Sequence, residues 1–548
     1  MKKTLRLIAL CGLAVTYADT VAWAGTDKLA TELRADKVAD SIEVIVQYKV
    51  TPTEAQHARV AALGGKLHAK MDFIKGAHYT VSKSALQTLA NDPDVAYITP
   101  NRSIGATFDQ ITDGTVHSDW ANSNGQTGAG IGVAIIDSGI VDLPDFHTGS
   151  TDRIVYQQSF LGPGTTPADQ FGHGTHVAGI LAGNGNGTVY IGTAPQANII
   201  NLRVLDVNGQ GTDANVIAAI QTAISLKSKF NIRVINLSLG RPVHESSTLD
   251  PLDQAVEAAW NAGIAVVVAA GNQGRNNAAN TNGYGTITAP GNDPYVITVG
   301  SVKSEGTTTM SDDLIASYSS KGPTLFDHYA KPDLLAPGNL VVSTLPAGLT
   351  LSNLYPANRV AGNYFTLSGT SMATPVVAGA AVLAYQTVPS FTPDQVKAAM
   401  MASATKNNFP TSSVAVDPVT GISYTSYYDI FTIGAGELNI RSAESMTSMP
   451  PAGSAMSPAA SYNTTTGLVT LQGVSGQNVV WGANVVWGAN VVWGANVVLA
   501  NNVVWGANVV WGASSMQGFN VVWGANVVWG ASTTDASEVD TLAIYGEP

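Results

Sequence analysis

Residues 131–137 read IGVAIID, an almost continuous apolar run that ends in an aspartate and is followed by a Ser-Gly turn. Four later segments are also largely apolar runs, namely NIINLRVL at 198–205, IRVINLSLG at 232–240, IAVVVAAGN at 264–272 and YVITVGSV at 295–302. Apolar runs of this length are typical of strands buried on both faces, and helical stretches separate them. Residues 109–443 are therefore predicted to form an α/β domain with an open, mostly parallel sheet between two layers of helices.

Four polar residues are expected at the carboxyl edge of this sheet, where ligands bind in open parallel sheets, or at nearby helix ends. Asp137 and Asn272 end two of the strands, His173 follows a glycine in FGHGTHVAG, and Ser371 opens a helix in LSGTSMATP. A serine nucleophile needs a base to accept its proton and a carboxylate to orient that base. Helix N-terminal N–H groups and a side-chain amide suit a developing oxyanion. The pattern indicates nucleophilic acyl transfer.

The motifs DSGI around Asp137, HGTHVAG around His173, AAGN around Asn272 and GTSMATP around Ser371 resemble those of the subtilisin-like serine peptidases, or subtilases. Their order along the chain is also that of the subtilisin triad. The resemblance implies that Asp137 orients the imidazole, His173 acts as general base and acid, and Ser371 is the nucleophile of a serine endopeptidase. Asn272 and the backbone N–H of Ser371 would form the oxyanion hole.

A second histidine, His176, lies in the same HGTHVAG motif. Sequence spacing alone does not decide which histidine faces the crevice, whereas the family pattern selects His173. His176 is followed by Val177 and lies one turn further along the helix. It is expected to be a buried, hydrogen-bonded histidine.

The resemblance also implies how an extended peptide substrate binds, as a strand added between two backbone segments. The residues of these segments are Ser238, Leu239 and Gly240 on one side and Gly209 and Gly211 on the other.

The pocket for the residue before the scissile bond, the P1 residue, would be walled by 238–240 and by Ala269, Ala270 and Gly271. The next residue after the oxyanion asparagine, Gln273, is neutral. No acidic group is therefore expected to bind a basic P1 side chain, and apolar or aromatic P1 residues are predicted.

Calcium is a further expectation, because subtilases often hold it in a loop that interrupts the histidine helix. The matching loop here is AGNGNGTVYIG at 182–192, and LPDF carries the matching aspartate. The candidate ligands are Asp145, Asn184, Asn186, Thr188 and Tyr190. Calcium prefers about six to eight oxygen ligands. Asn-Gly runs also form ordinary turns, so a plain turn is the alternative.

The first 24 residues have a basic start, a short apolar run and the small-residue site Ala22-Trp23-Ala24, which is the form of a secretory signal peptide. No later window offers the roughly 20 apolar residues of a spanning helix, so a secreted, extracellular protein is expected. The only cysteine, Cys11, lies in this segment, and the mature chain therefore forms no disulfide. A lipoprotein acceptor is the alternative for Cys11, but Leu10 is large where that motif needs a small residue.

Residues 41–101 alternate in the order strand, helix, strand, strand, helix, strand, which predicts a ferredoxin-like α+β unit. Thr51 and Ser84 are the expected helix caps. This unit, within residues 27–105, is similar to the inhibitory propeptide of subtilases. The resemblance implies a proenzyme that the propeptide inhibits and that cuts itself between Arg102 and Gln110. The formal net charge of −12 argues against nucleic acid as a partner, so proteins and peptides are the expected substrates.

The C-terminal part has three segments. Residues 444–477 have linker composition, and residues 532–548 form an acidic tail. Between them, residues 478–531 form nine hexads, of which seven read NVVWGA, one NVVLAN and one SSMQGF. An even period keeps Val479, Trp481 and Ala483 on one side of an extended chain, which predicts short strands stacked in a β-rich solenoid.

Two uses of the repeat stay open, namely self-association through β-structure and binding of a surface or polysaccharide by aligned tryptophans. NVVWGA has no ionisable group, so it cannot perform acyl transfer. One rival hypothesis is a catalytically idle scaffold whose repeat tail is a binding module; it predicts damaged motifs, and all four catalytic positions are present. A second rival, peptide ligation, needs a site that favours an amine over water.

Overall fold

The computed structural model describes residues 28–29, 33, 40–72, 75–100, 108–276, 281–405, 409–417, 420–444, 455–463, 468–472, 497–499 and 546–547. The chain divides into an N-terminal unit, Met1–Gly105, and a main unit, Ala106–Pro548. The expected signal peptide, most of the expected self-cleavage region and all hexads except part of NVVLAN lie outside the described residues. Among the described residues, no helix has both the length and the apolar composition needed to cross a bilayer.

The N-terminal unit is a four-stranded antiparallel sheet with two helices. Its elements are β1 (Ser41–Tyr48), α1 (Glu54–Ala62), β2 (Lys66–Met71), β3 (Gly76–Ser82), α2 (Lys83–Asn91) and β4 (Val95–Pro100). The strand order is β2-β3-β1-β4. Its own apolar core includes Val44, Tyr79 and Leu86, all buried. The elements follow the order that the sequence predicts.

Both helices of this unit begin at a residue other than the predicted cap. The cap of α1 is Thr53, whose backbone N–H donates to Oε1 of Gln56 at 3.0 Å. The cap of α2 is Ser82, whose hydroxyl accepts from the Ala85 N–H at 3.2 Å. Each lies two residues from the predicted Thr51 or Ser84.

The first part of the main unit supplies most strands of its central sheet. The elements are α3 (Phe108–Val116), α4 (Ser118–Ser123), β5 (Gly132–Asp137), β6 (His147–Thr148), β7 (Thr151–Asp152), β8 (Ile154–Ser159), α5 (His173–Ala182), β9 (Asn198–Arg203), α6 (Asp213–Phe230), β10 (Ile232–Leu237), α7 (Pro251–Asn261), β11 (Ala265–Ala269) and β12 (Ile297–Lys303). Short 3-10 turns lie at Pro144–Phe146 and Gly185–Gly187.

The second part completes the sheet and adds small hairpins. The elements are β13 (Leu314–Ile315), β14 (Leu334–Pro337), β15 (Val341–Thr344), α8 (Thr350–Leu354), β16 (Arg359–Ala361), β17 (Tyr364–Leu367), α9 (Thr370–Thr387), α10 (Pro393–Ser403), β18 (Ser412–Val416), β19 (Ser423–Tyr427), α11 (Ile440–Glu444), β20 (Ala459–Asn463), β21 (Leu468–Gln472) and β22 (Val497–Leu499). A 3-10 turn lies at Pro356–Asn358.

The central sheet has the order β13-β12-β11-β10-β5-β9-β8, with β14 also beside β12. All neighbouring pairs are parallel except β12 and β13. The predicted mostly parallel sheet is confirmed, as are its five predicted strands. The strand order reverses at β5, which lies between β9 and β10. The carboxyl end of β5 is therefore a topological switch point, the usual ligand crevice of such sheets.

Two pairs of helices cover the sheet. Helices α6 and α7 pack against each other and against the sheet, and α5 and α9 form a second such pair. Every residue of β5 is buried, as expected for a central strand with helices on both faces. Among the central strands this leaves mainly the ends accessible, whereas the edge strand β8 is partly exposed along its length.

Part of the predicted linker 444–477 is folded onto the main unit, which corrects that boundary. Leu471 is buried in the main core, and the hydroxyl of Ser457 donates to Asp333 at 2.6 Å. The physical reason is that Ser457 completes a buried ionic cluster, which composition does not reveal. The main unit therefore extends at least to β21, and β22, part of the NVVLAN hexad, pairs antiparallel with β21.

Candidate active site

Asp137 ends β5 at the switch point of the central sheet, and its side chain is 1% exposed. Oδ1 lies 2.8 Å from Nδ1 of His173 and also accepts from the Ser138 N–H at 2.7 Å. Oδ2 is buried without a hydrogen-bond partner among the described residues. Because few donors solvate this carboxylate, it interacts strongly with a positive charge on the neighbouring imidazole.

His173 is the first residue of α5, and Gly172 caps the helix with a φ of 113°, a backbone conformation that favours glycine. Burial disfavours the charged imidazole, but the charge and hydrogen bond of Asp137, with a smaller contribution from Asp169, raise the pKa of His173 above its ordinary 6.5. The imidazole is therefore held where it accepts a proton readily.

Asp169 organises the turn before α5, and the sequence analysis missed it. Its buried carboxylate accepts from the N–H groups of Gly172 and Thr175, at 2.8 and 2.9 Å, and from the Thr175 hydroxyl at 2.6 Å. It also accepts from the Ser138 hydroxyl at 2.9 Å, and that hydroxyl accepts from the Gly174 N–H. One carboxylate thus links the turn after β5 to the first turn of α5. An aspartate shortly before a helix start is a capping signal that could have identified it.

Ser371 is the second residue of α9 and follows Gly369, which lies at the crevice with a φ of 142°. Its hydroxyl donates to the Ser238 carbonyl at 3.1 Å, while the Ser238 hydroxyl donates to the Ser371 carbonyl at 2.8 Å. Within the described residues, no hydrogen bond joins Ser371 to His173. Rotation about the Ser371 side-chain bond is needed to direct the hydroxyl toward a base, and catalytic hydrogen bonds often tighten only with substrate.

The amide of Asn272 has a fixed orientation. Its Oδ1 accepts from the N–H of Thr370 at 2.8 Å and from the Thr370 hydroxyl at 3.0 Å, and that hydroxyl also accepts from the Gly271 N–H. The donor end is thereby directed away from Thr370, and a Cβ at Gly369 would lie 3.1 Å from Nδ2. Sequence reasoning did not identify Thr370 as the residue that sets this orientation, because the contact spans 98 positions.

The two predicted walls of the P1 pocket meet at Thr288, another residue that the sequence analysis missed. A Cβ at Gly240 would lie 2.6 Å from its hydroxyl oxygen, and a Cβ at Gly271 would lie 2.8 Å from its methyl carbon. Ser238 and Ala270 are buried beside them. These walls carry no charged side chain.

The other predicted substrate segment, which holds Gly209 and Gly211, is a turn. The Asp206 carboxylate closes it by accepting from the N–H groups of residues 208 and 210. A Cβ at Gly209 would lie 2.7 Å from the Phe171 ring, so this turn packs beside the loop that leads to His173. One predicted substrate segment therefore lies beside the loop that leads to His173, and Ser238 of the other contacts Ser371.

Comparison with known proteins agrees with this geometry. The Peptidase_S8 model, described as the subtilase family, matches residues 128–416, which include all four catalytic candidates. Serine protease AprX of Bacillus subtilis is 39% identical over 344 residues, covering 61% of this chain and 74% of that protein. Subtilisin E of the same species is 33% identical over 405 residues, covering 72% and 92%. The chain belongs to the subtilase family. It is a subtilisin-like serine protease.

One solved structure, of a cold adapted subtilisin-like serine proteinase, is 30% identical in sequence to this subtilase, with a TM-score of 0.39. The match covers 55% of this chain and 88% of the chain in that structure.

The second histidine of the subtilase motif, His176, is fully buried. Its Nε2 lies 2.9 Å from the Phe365 carbonyl, so this nitrogen carries the proton. Burial lowers the pKa of His176 to about 3, which keeps the ring neutral. His176 is a packed histidine, as predicted.

The loop predicted to bind calcium gathers three of its candidate ligands. Asp145 is buried, its Oδ1 accepts from the Tyr364 hydroxyl at 2.5 Å, and its carbonyl accepts from the Asn184 N–H at 2.9 Å. The Asn184 side-chain oxygen accepts from the Asn186 N–H at 2.8 Å, and Asn186 has a φ of 43°. Thr188 and Tyr190 follow in the same turn. The candidates offer five oxygens, a donor set that fits Ca²⁺ if water completes its usual six to eight or so.

Proposed function

We propose that this subtilase is a secreted serine endopeptidase in which Ser371 is the nucleophile, His173 the general base and Asp137 its orienting carboxylate. The observation that carries the proposal is the 2.8 Å contact between His173 Nδ1 and Asp137 Oδ1 at the switch point. A carboxylate acceptor keeps the proton on Nδ1. Nε2 is then the basic nitrogen, available to the serine.

Acylation begins when the Ser371 hydroxyl turns from the Ser238 carbonyl toward His173. Its proton passes to Nε2 as Oγ bonds to the substrate carbonyl carbon, and the oxygen of that carbonyl becomes an oxyanion. Nδ2 of Asn272 and the N–H of Ser371, which has no intrahelical acceptor at this helix position, donate to the oxyanion. The C–N bond then breaks, and the leaving amine takes the proton from His173. Water repeats the sequence and releases the acyl group.

The charge of Asp137 favours this route because His173 becomes positively charged in each tetrahedral intermediate. The same interaction raises the pKa of His173, and the ring acts as a base only when it is neutral. Activity is therefore expected to rise with pH through a value above 6.5.

Neutral pocket walls support a preference for apolar or aromatic P1 residues. Two carboxylates that follow the substrate segments in the chain, Asp213 and Asp250, are both held by Arg241, at 2.9 and 2.8 Å. Neither is available to a basic P1 side chain. Digestion of a mixed peptide library tests this preference, and cleavage only after Lys or Arg would refute it.

The N-terminal unit supports synthesis as a proenzyme, because it has its own core and precedes the protease domain with the element order of the family's propeptide. In this proposal it inhibits the protease until self-cleavage between Arg102 and Gln110. The loop at Asp145 would hold a stabilising calcium. The repeat segment would determine location or assembly, and binding of the isolated repeat to insoluble glycans tests the first of these roles.

The decisive experiment compares the wild-type chain with Ser371→Ala and with Ser225→Ala, which removes an exposed hydroxyl on α6. Wild type and Ser225→Ala should lose the N-terminal unit and take a fluorophosphonate label at residue 371. Ser371→Ala should do neither. A wild-type chain that is neither processed nor labelled would leave the idle scaffold as the better hypothesis. Processing that persists in Ser371→Ala would assign the cut to another protease.

A further inference from the structure

The penultimate residue of the chain, Glu547, is buried in the main unit, where it is 2% exposed. An acidic C-terminal tail is expected to be solvated, because burying a carboxylate is unfavourable unless it is paired. One carboxylate oxygen of Glu547 and both of its backbone polar groups are hydrogen-bonded within the described residues. Its environment has the features of a binding site.

The Glu547 carboxylate is bound through one oxygen. Oε1 accepts from the Ser317 N–H at 2.8 Å, from the Ser317 hydroxyl, and from Arg275 Nη2 at 3.1 Å. Oε2 is buried without a hydrogen-bond partner among the described residues. The two Ser317 donors and the Arg275 guanidinium therefore bind the negative charge of the Glu547 side chain.

The backbone of Glu547 is bound as well. Its N–H donates to Oδ1 of Asn339 at 2.8 Å, and Nδ2 of Asn339 donates to its carbonyl at 2.9 Å. A side-chain amide that exchanges two hydrogen bonds with one residue recognises peptide backbone in the manner of a neighbouring strand. The site therefore binds both the backbone and the side-chain carboxylate of a glutamate within a peptide, and not merely a carboxylate group.

Glycine is favoured at the residue before Glu547. Gly546 has a φ of 70°, and a Cβ there would lie 2.6 Å from Leu340 and 2.7 Å from the Ser368 hydroxyl oxygen, so a side chain would be strained and both neighbours would have to shift. The site thus prefers a Gly-Glu sequence.

The receptor side is organised by contacts other than those to Glu547. Arg275 also reaches Ser317 at 2.6 Å and Asp417 at 3.2 Å, and its guanidinium lies 4.7 Å from the centroid of the Tyr424 ring. These contacts orient the guanidinium before the tail arrives. Such preorganisation lowers the entropic cost of binding.

We propose that Arg275, Ser317 and Asn339 form a receptor for the Gly-Glu sequence at the C-terminus of this chain. The receptor attaches the end of the segment that follows the hexads to the main unit. Both β21 and the Gly546-Glu547 segment are therefore held in the main unit. Arg275 lies three positions after Asn272, so the receptor and the catalytic crevice share one turn of backbone. The proposal is independent of the catalytic roles assigned above.

Hydrogen exchange in the full chain tests this receptor, with Ser371→Ala as background to prevent digestion. Glu547→Ala removes the acceptor of the Ser317 N–H, so exchange at that amide should become at least about tenfold faster. Glu538→Ala removes a matched charge from the same tail and should leave it unchanged. Equal protection of Ser317 in the two variants would overturn the proposal.

Peptide binding provides a second measurement. A chain that ends at residue 545 should bind a labelled DTLAIYGEP peptide saturably by fluorescence anisotropy, and the full chain should bind it at least about tenfold more weakly because its own terminus fills the site. The same peptide with Glu547→Gln should lose at least about tenfold in affinity, and with Asp540→Asn it should lose none. Equal affinity of the Glu and Gln peptides would refute recognition of the charge. Ser317 protection that increases with protein concentration would indicate that the tail binds another copy, and would overturn attachment within one chain.

Discussion

Two buried carboxylates of the main unit, Asp137 and Asp333, differ in how completely they are hydrogen-bonded. Asp333 is fully buried, its Oδ2 accepts from Lys331 at 2.7 Å and from the Thr298 N–H at 2.8 Å, and its Oδ1 is bound by Lys397 and Ser457. Asp137 is equally inaccessible, yet only Oδ1 is paired and Oδ2 has no partner among the described residues.

In this pair the more completely bonded carboxylate stabilises the fold, whereas the other contacts a proposed catalytic base; an unpaired oxygen alone does not indicate catalysis, because Glu547 and Asp253 have one as well. A carboxylate with four donors does not depend on any single neighbour, and its loss would remove the anion that the buried ammonium groups of Lys331 and Lys397 both contact. A carboxylate with one oxygen that accepts no hydrogen bond depends more strongly on the charge of the side chain that its other oxygen contacts. In Asp137 that neighbour is His173, so the site gains stability when the ring becomes positive, as the reaction requires.

The largest expected effect is that of Asp137→Asn on catalysis. The asparagine amide would donate to Nδ1 of His173 and place the ring proton on Nε2, the wrong nitrogen for a base. The value of kcat/KM on a peptide substrate should fall by about 10⁴-fold, with little change in thermal stability. A loss below about tenfold would mean that Asp137 and Asp333 do not differ in the way proposed.

The complementary change, Asp333→Asn, should act on stability. Breaking this buried cluster should lower the free energy of unfolding by about 3–5 kcal/mol, measured by urea denaturation, while the folded fraction keeps its kcat/KM. Asp142→Asn, at an exposed carboxylate, is the matched control.

The contribution of Asp333 should also depend on pH in a defined direction. Burial alone would raise its pKa, but the charges of Lys331 and Lys397 prevail and hold the pKa below the ordinary 3.8. The stabilisation is therefore present above about pH 4 and is lost as pH falls through the lower folded pKa. The measurement is the free energy of unfolding of wild type and of Asp333→Asn as pH is lowered. If the two fell in parallel, Asp333 would not be ionised in the folded protein.

A smaller effect is expected from Asp169→Asn. Its charge helps to raise the pKa of His173, so its removal should shift the acid limb of kcat/KM to lower pH by up to about one unit. A purely structural role for Asp169 would lower kcat/KM without moving the limb. Asp142→Asn is expected to leave the profile unchanged, because it removes an exposed charge.

The sequence predicted local features better than distant contacts. Each catalytic motif is a short segment whose strand end or helix start exposes one side chain, and periodicity identifies such places. By contrast, Thr370 with Asn272, Ser457 with Asp333, and Arg275 with Glu547 are pairs separated by 98, 124 and 272 positions. No periodicity connects them. The linker prediction was wrong for residues 455–463 and 468–472 for this reason.

Helix caps were mispredicted for another reason. Threonine occurs at both 51 and 53, and serine at both 82 and 84, so two starts fit each pattern. The choice depends on tertiary contacts, for example the 3.4 Å hydrogen bond from Gln56 to Asp94 near the start of α1. Such competition limits helix ends to within about two residues of the prediction.

Asp145 is intermediate between Asp137 and Asp333 in how well its buried carboxylate is stabilised. The prediction that concerns it, on thermal stability, has the smallest expected effect. Asp145 is buried, and one carboxylate oxygen accepts from a neutral hydroxyl, that of Tyr364, where Asp333 has two ammonium partners. The buried guanidinium of Arg153 donates to the Asp145 carbonyl at 2.7 Å, and a calcium ion in the loop would add a second positive charge. Occupancy at about 100 times the dissociation constant contributes about 2.7 kcal/mol, so a chelator should lower the Tm of a unit of this size by roughly 4 °C.

Asn186→Ala removes a proposed ligand without touching Asp145, and it should abolish the Tm difference between calcium and chelator. Asn208→Ala, in the turn beside the crevice, is the control that keeps it. A wild-type Tm that does not respond to chelation would mean that Tyr364 and the turn stabilise Asp145 without an ion. In that case the Tyr364 hydroxyl and the nearby guanidinium of Arg153 are enough to keep this carboxylate buried, and bound calcium would not be what places Asp145 between Asp137 and Asp333.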